Sequence, residues 1–372
     1  MVSLVQLEVI LIASVVAAGC ALVGTFLVLR RMALMSDAIS HAILLGIVLM
    51  FFVTESLASL PMIVAATLTG VLTVTLVEAL VHTRLVKEDA AIGLTFPALF
   101  SLGVILISRY ASNVHLDVDA VLLGELAFAP FDRFIVAGLD LGPRALWLAG
   151  AIGVVDLAFI LVFYKELKLA TFDASLAAAL GFSPALIHYA LMTLVSVTAV
   201  GSFEAVGSVL VVALMIAPPA AAYLLTERLS AMLGISVGIG VASAVSGYAL
   251  ARQLDASIAG SMATMAGLFF LATLLLAPER GLVARWARLR RQRWQFAGEM
   301  LLVHLSQHEG TADEAEETAL DHLERHLRWS PPFTRQVADY VIRHGLARRV
   351  DGGKRLALTE RGREVARAAM LR

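Results

Sequence analysis

Residues 30–52 read RRMALMSDAISHAILLGIVLMFF: two arginines, an aspartate and a histidine four positions apart, then an almost unbroken apolar run. An apolar run of about 20 residues is long enough to cross a bilayer as a helix. On such a helix Asp37 and His41 project from one face, about one turn apart. A carboxylate oxygen beside an imidazole nitrogen is a ligand mix for zinc, manganese or ferrous iron, whereas copper(I) would call for sulfur. Two ligands are too few for a strong site, but two copies of the chain meeting at a pore would supply four. The competing reading is plainer: the pair sits at a helix start by the membrane interface and polarises nothing but that end. The motif alone leaves both readings open.

The rest of the chain supports the membrane half of that reading. Its 372 residues are 59% hydrophobic and 16% charged, with a mean hydropathy of +0.83. Soluble domains are nearer a quarter charged. Apolar stretches at 5–29, 37–54, 61–82, 92–109, 144–164, 187–202, 205–225, 230–250 and 257–277 predict eight to nine transmembrane helices. No basic segment precedes the first, so it reads as a span rather than a cleaved signal. Cys20 is the only cysteine, which excludes a disulfide framework and a thiolate metal site within the chain.

Charge is divided unevenly. Residues 281–372 hold 17 of the 29 Lys and Arg, so a basic, water-soluble tail follows an acidic membrane body. Arg30, Arg31, Arg84, Lys87, Lys165, Lys168, Arg228 and the stretch after Arg280 fall on one side of the predicted spans. The positive-inside rule places that side, and the tail, in the cytoplasm. Residues 111–143 lie on the other side, with AVLLGELAFAP as a surface helix or a re-entrant segment. Their Asp117, Asp119, Glu125, Asp132 and Asp140, set against Arg133, form either an acidic vestibule that gathers cations or an ordinary solvated loop. Small residues in GISVGIGVASAVSGYAL and SIAGSMATMAGLFF suit close helix packing, and Pro218–Pro219 predicts a break or kink.

Four stretches together resemble the ABC-3 family of metal-ion permeases: RRMALMSDAISHAILLGI, KEDAAIGLTF, LKLATFDASLAAALGFSPALIHYALMTLVS and VGSFEAVGSVLVVALMIAPPAAAYLLTERLS. The resemblance covers roughly residues 5–280. It implies a dimeric pore, built from two copies or from two different permease chains, in the bacterial cytoplasmic membrane. It also implies an ABC ATP-binding subunit, an extracytoplasmic metal-binding protein, and a divalent ion as cargo rather than as a resident cofactor. Asp37 and His41 become pathway ligands, and Glu204, in SFEAVG, a candidate gate. Asp156 is a candidate only because carboxylates inside spans are rarely idle. SFEAVG resembles the manganese and iron branch more than the zinc branch, so manganese is the first cargo to expect.

The loop TFDASLAAALGF reads as a short helix capped after Asp173 and stopped by Gly181, too short to span and suited to docking on a partner. By the resemblance it is the coupling helix, with Phe172, Asp173, Leu176, Ala177, Leu180 and Gly181 facing the ATPase. The chain has no G-x-x-x-x-G-K-[ST] phosphate loop, so the energy comes from another chain and this one is no enzyme.

The predicted division is a permease domain over 1–280, a basic connector over 281–297 and a small cytoplasmic α+β domain over 298–372. GLARRVDGGKRLALTERGREVA resembles the winged helix of DtxR-type repressors. Arg335, Arg343, Arg348, Arg349, Lys354 and Arg355 are the residues that would touch nucleic-acid phosphates, and the basic connector those that would touch anionic lipid. His304 with His308, and His322 with His326, are i,i+4 pairs that could sense metal. Two alternatives compete with the importer: a membrane-anchored metal-responsive regulator acting through the tail, and a permease for chelated metal.

Overall fold

The computed structural model describes residues 4–54, 59–110, 126–136 and 139–371, without the side chains of Ser59, Leu60, Val136 and Glu204. The chain divides into two compact units, Met1–Gly281 and Leu282–Arg372.

In the first unit, α1 (Leu4–Leu29), α2 (Leu34–Thr54), α3 (Ser59–His82) and α4 (Glu88–Tyr110) precede a small hairpin, β1 (Arg133–Val136) and β2 (Leu139–Pro143). Then come α5 (Arg144–Val162), α6 (Tyr164–Phe172), α7 (Ala174–Ala179), α8 (Pro184–Val206), α9 (Ser208–Leu225), α10 (Leu229–Leu254) and α11 (Ile258–Leu276). Among the described residues nine helices are long and apolar enough to cross a membrane, and they coincide with the nine stretches read from sequence. α6 and α7 are the short helices between spans.

These helices form because every backbone group must be satisfied internally in lipid. Their hydroxyls follow the same rule: Thr25, Ser40, Thr73, Thr95 and Ser236 each donate to the carbonyl four residues earlier. α1 is the central helix, packed on α5, α8, α9 and α10. Gly24 lets it lie directly on the backbone of α9 at Met215, and Gly247 brings α10 onto α11 at Met262.

Two expectations need correction. The unit is not purely helical: the described part of 111–143 is a 3-10 turn at Ala129–Phe131 and the β1–β2 hairpin, with antiparallel pairing. Asp117, Asp119, Glu125 and most of AVLLGELAFAP lie outside the described residues. Pro218 and Pro219 do not break their span; α9 runs through both, buried among its neighbours. A single helix, α12, runs from Leu282 to His308, through the basic stretch 285–293.

The second unit continues with α13 (Glu314–Glu317), α14 (Leu320–His326), α15 (Pro331–Arg343), the strands β3 (Ala347–Val350) and β4 (Arg355–Leu358), and α16 (Glu360–Met370). It is mostly helical. Leu301, Leu302, Leu305, Leu323, Val337, Val341 and Leu356 fill its core. The β3–β4 turn takes left-handed backbone at Asp351, Gly352 and Gly353, and Ala319 adds a bridge to β4 at Arg355.

Candidate functional site

α2 begins just after the Arg30–Arg31 turn, which sets Asp37 in its first turn. His41 follows one turn later, with its Nε2 3.5 Å from Asp37 Oδ1. That is longer than a good N–H···O hydrogen bond. It matches the spacing of two ligand atoms on an ion held at about 2.0–2.2 Å from each. The side chains are 36% and 44% exposed for His41 and Asp37, so both are open to one side. The His41 ring is fixed by α4: it stacks on Phe96 with centroids 5.7 Å apart and meets the edge of Phe100 at 6.1 Å. Phe96 and Phe100 are themselves one turn apart, so one helix face holds the imidazole.

Asp156 is placed differently. It is fully buried on α5, where Thr198 of α8 bridges both its oxygens at 3.0 and 2.9 Å and Gly19 of α1 lies against it. It does not join the Asp37–His41 pair. Glu204 occupies the last turn of α8, three residues before Gly207 turns the chain into α9. Beside that turn, Phe128, Asp132, Arg144, Gly201 and Ala205 line a cavity of about 220 Å³. Of the remaining outer acids, Asp140 is not free to attract cations. Arg133 forks between Asp140 at 2.7 Å and Glu8 of α1 at 2.8 Å. The Arg133 bond, with help from the Gly142 N–H, holds the Asp140 carboxyl below its ordinary range.

At the opposite end of the spans, α7 has the geometry read from its sequence. Asp173 Oδ1 accepts from Leu176 N at 2.9 Å and from the Ser175 hydroxyl at 2.6 Å. Gly181, at φ +88°, closes the helix with a bond from its N–H to the Ala178 carbonyl. Ala177 is buried, while Phe172, Leu176 and Leu180 are 61%, 45% and 58% exposed. Large apolar side chains are thus exposed on both sides of the Asp173 cap, Phe172 at the end of α6 and Leu176 and Leu180 along α7.

One cluster was missed in the sequence. Behind α7, Arg30 donates to Thr171 of α6 at 3.2 Å and to His188 Nδ1 of α8 at 3.1 Å. His188 Nε2 in turn lies 2.6 Å from Glu78 of α3. The cluster ties the turn before α2 to the segment before α7. Its members come from three separate stretches of the chain, and the only hint was Arg30, Thr171 and His188 falling inside the family-like motifs.

In the second unit the four tail histidines do come together. They surround Glu317, with ring centroids 4.7 Å apart for His304–His308, 4.8 Å for His304–His326 and 5.7 Å for His322–His326. The residues expected to touch phosphates are partly committed elsewhere: Arg349 pairs with Asp339 at 2.7 Å, and Arg355 with Asp351 at 2.8 Å.

Residues 3–277 match the ABC 3 transport family. The chain belongs to that family. This ABC-3 chain is 48% identical over 364 residues to the zinc transport system membrane protein TroD of Treponema pallidum, covering 98% of each. It is 48% identical over 283 residues to the manganese transport system membrane protein MntD of Bacillus subtilis, covering 76% of this chain and 96% of the relative. Among solved structures, it resembles PsaBC from Streptococcus pneumoniae in complex with Fab, with a TM-score of 0.63 at 29% identity. That match covers 77% of this chain and 96% of the other.

Proposed function

We propose that the chain is the permease subunit of an ATP-binding-cassette importer for divalent transition-metal ions. Asp37 and His41 serve as ligands along its path, and manganese is the first cargo to test, then iron or zinc. The observation that carries this reading is the Asp37–His41 pair: an imidazole and a carboxylate 3.5 Å apart, both partly exposed, inside a chain of the ABC-3 family. TroD and MntD, named for zinc and manganese, support a bare metal ion as cargo. A chelated ion would bring its own ligands and would not need a carboxylate and an imidazole in the wall.

In this reading a second permease chain, the same or a different one, faces the open side of the pair and completes the ion's coordination. An extracytoplasmic metal-binding protein delivers the ion near the Glu204 turn, and Glu204 helps gate its entry. The exposed Phe172, Leu176 and Leu180 dock on the ATP-binding subunit in the cytoplasm of a bacterial cell. The Thr171–Arg30–His188–Glu78 cluster carries its movement to α3 and to the turn before α2. Asp156, sealed by Thr198, serves as a packing anchor between α1, α5 and α8 rather than as a stop on the path.

For the second unit we infer a winged-helix arrangement on the cytoplasmic side. Its support is α15 leading through Gly345 into a hairpin, with a third short pairing at Ala319–Arg355. With Arg349 and Arg355 engaged internally, it serves protein contact or regulation rather than nucleic-acid binding.

The test is ATP-dependent uptake of manganese, iron and zinc by cells expressing the chain with its ATPase and binding protein. Saturable uptake of one of these ions, lost when the ATPase is inactivated, is the expected result. Uptake of none of the free ions, with the proteins assembled in the membrane, would overturn it.

A further inference from the structure

We infer that the second unit holds its own divalent-metal site, of the zinc class, built around Glu317 by His304 and His326 with further ligands drawn from His308 and His322. This assignment does not depend on which ion the membrane unit carries. Three elements build the site. α12 presents His304 and His308 at i,i+4, α14 presents His322 and His326 at i,i+4, and the end of α13 inserts Glu317 between them.

The distances converge on one atom. Glu317 Oε2 lies 3.0 Å from His322 Nε2, 3.4 Å from His304 Nε2, and 3.9 Å from both His308 Nε2 and His326 Nδ1. Ligand atoms around a tetrahedral ion with bonds of about 2.0–2.1 Å stand roughly 3.3 Å apart. One candidate atom each from His304, Glu317 and His326 also falls within 4.8 Å of the other two.

A second observation distinguishes this from an ordinary ion-pair network. Glu317 Oε2 and His322 Nε2 are buried and, despite their 3.0 Å separation, neither has a hydrogen-bond partner among the described residues. Two buried ligand-type atoms this close, with no hydrogen bond made by either, suit a shared cation. His304 Nε2 donates to the Glu317 carbonyl at 3.1 Å, so ligation through that nitrogen exchanges this proton for the ion. His326 is half-exposed and gives an entry route. Imidazole-rich sites with one carboxylate favour zinc over manganese, which prefers oxygen ligands.

The experiment uses the full chain in detergent, stripped with chelator, reloaded with zinc, desalted, and assayed for bound metal. Compared are wild type, D37A/H41A, and the D37A/H41A background carrying either H322A/H326A or the isosteric E317Q. The expected result is one zinc per chain in D37A/H41A, lost or weakened at least tenfold by either tail change. Cobalt loaded in place of zinc should give visible d–d absorption in D37A/H41A that the tail changes abolish. E317Q keeps the side chain's size, and monodispersity on size exclusion separates loss of ligand from loss of fold. Zinc retained in both tail variants, or absent from D37A/H41A, overturns the assignment. Neither readout requires transport, so a failure of the uptake reading leaves this test intact.

Discussion

The Asp37–His41 pair acquires its geometry from an outside helix. His41 is pinned by two phenylalanines of α4, which hold its ring with Nε2 3.5 Å from the carboxylate. Partners that orient a metal ligand commonly contribute 10–100-fold to affinity. F96A should therefore raise the half-saturating metal concentration for uptake by at least tenfold, with membrane abundance unchanged. An unaltered concentration dependence would mean the ring orientation is incidental. His188 has a different role. Removing it as H188A leaves both Arg30 and Glu78 short of a partner at a packed junction of four helices. A cost of about 1–3 kcal/mol is expected for such partly buried groups. It would register as a lowered midpoint in a thermal unfolding scan of the detergent-solubilised protein, and an unchanged midpoint would reject it. The Asp37–His41 spacing was legible because a helix turn is local. The Arg30–His188–Glu78 cluster was not, because its members meet only through the packing of α1, α3 and α8.

Among the elements, α7 is the one whose reading from sequence and whose structure agree most closely: an Asp cap, six residues, and a glycine stop. Cap and stop are chemical signals within a few residues of each other, so no tertiary contact was needed to see them. The Ser175 hydroxyl, and then the Leu176 N–H, hold the Asp173 carboxyl below its ordinary value. Its stabilisation of α7 is thus present above the unfolded carboxylate's pKa of about 3.9 and is lost as pH falls through the lower folded value. Amide exchange at Leu176 should accelerate below about pH 4, and D173A should show that faster exchange at every pH. Equal protection in D173A and wild type would contradict the cap. L176E, placing a charge on the exposed apolar surface of α7, should abolish co-purification with the ATP-binding subunit while leaving the permease folded; persistent co-purification would move the docking surface elsewhere. The α9 prolines were harder to read. Proline predicts a kink from one helix in isolation, and neighbours packed around Pro218 and Pro219 let the helix continue. α12 is polar at its start, over 285–293, and apolar further on, where Leu301, Leu302 and Leu305 enter the second core.

The two units differ in what holds them. The first packs small residues and satisfied hydroxyls where lipid offers no hydrophobic drive between helices. The second has a conventional apolar core and, by our assignment, a metal at its polar junction. MntD matches 76% of this chain while 96% of its own length is covered, so a relative spans little beyond the membrane unit. A chain ending at Gly281 should therefore insert, bind its ATPase and transport, with any change confined to regulation by metal. Loss of insertion would show that the units depend on each other. The nine spans among the described residues were legible from hydropathy, because span length and composition are set by the bilayer itself. The Glu317 oxygen at the centre of the histidines was not, since no periodicity marks a residue in a four-residue helix.

The most direct test of the central claim is uptake of the transported metal by wild type, D37A, H41A and the conservative variants D37N and H41Q, at matched abundance in the membrane and with the ATPase present. Loss of uptake in all four variants, with ATPase association retained, is the predicted result. Wild-type uptake by D37A and H41A would remove the pair from the ion's path and reduce it to a feature of the helix start.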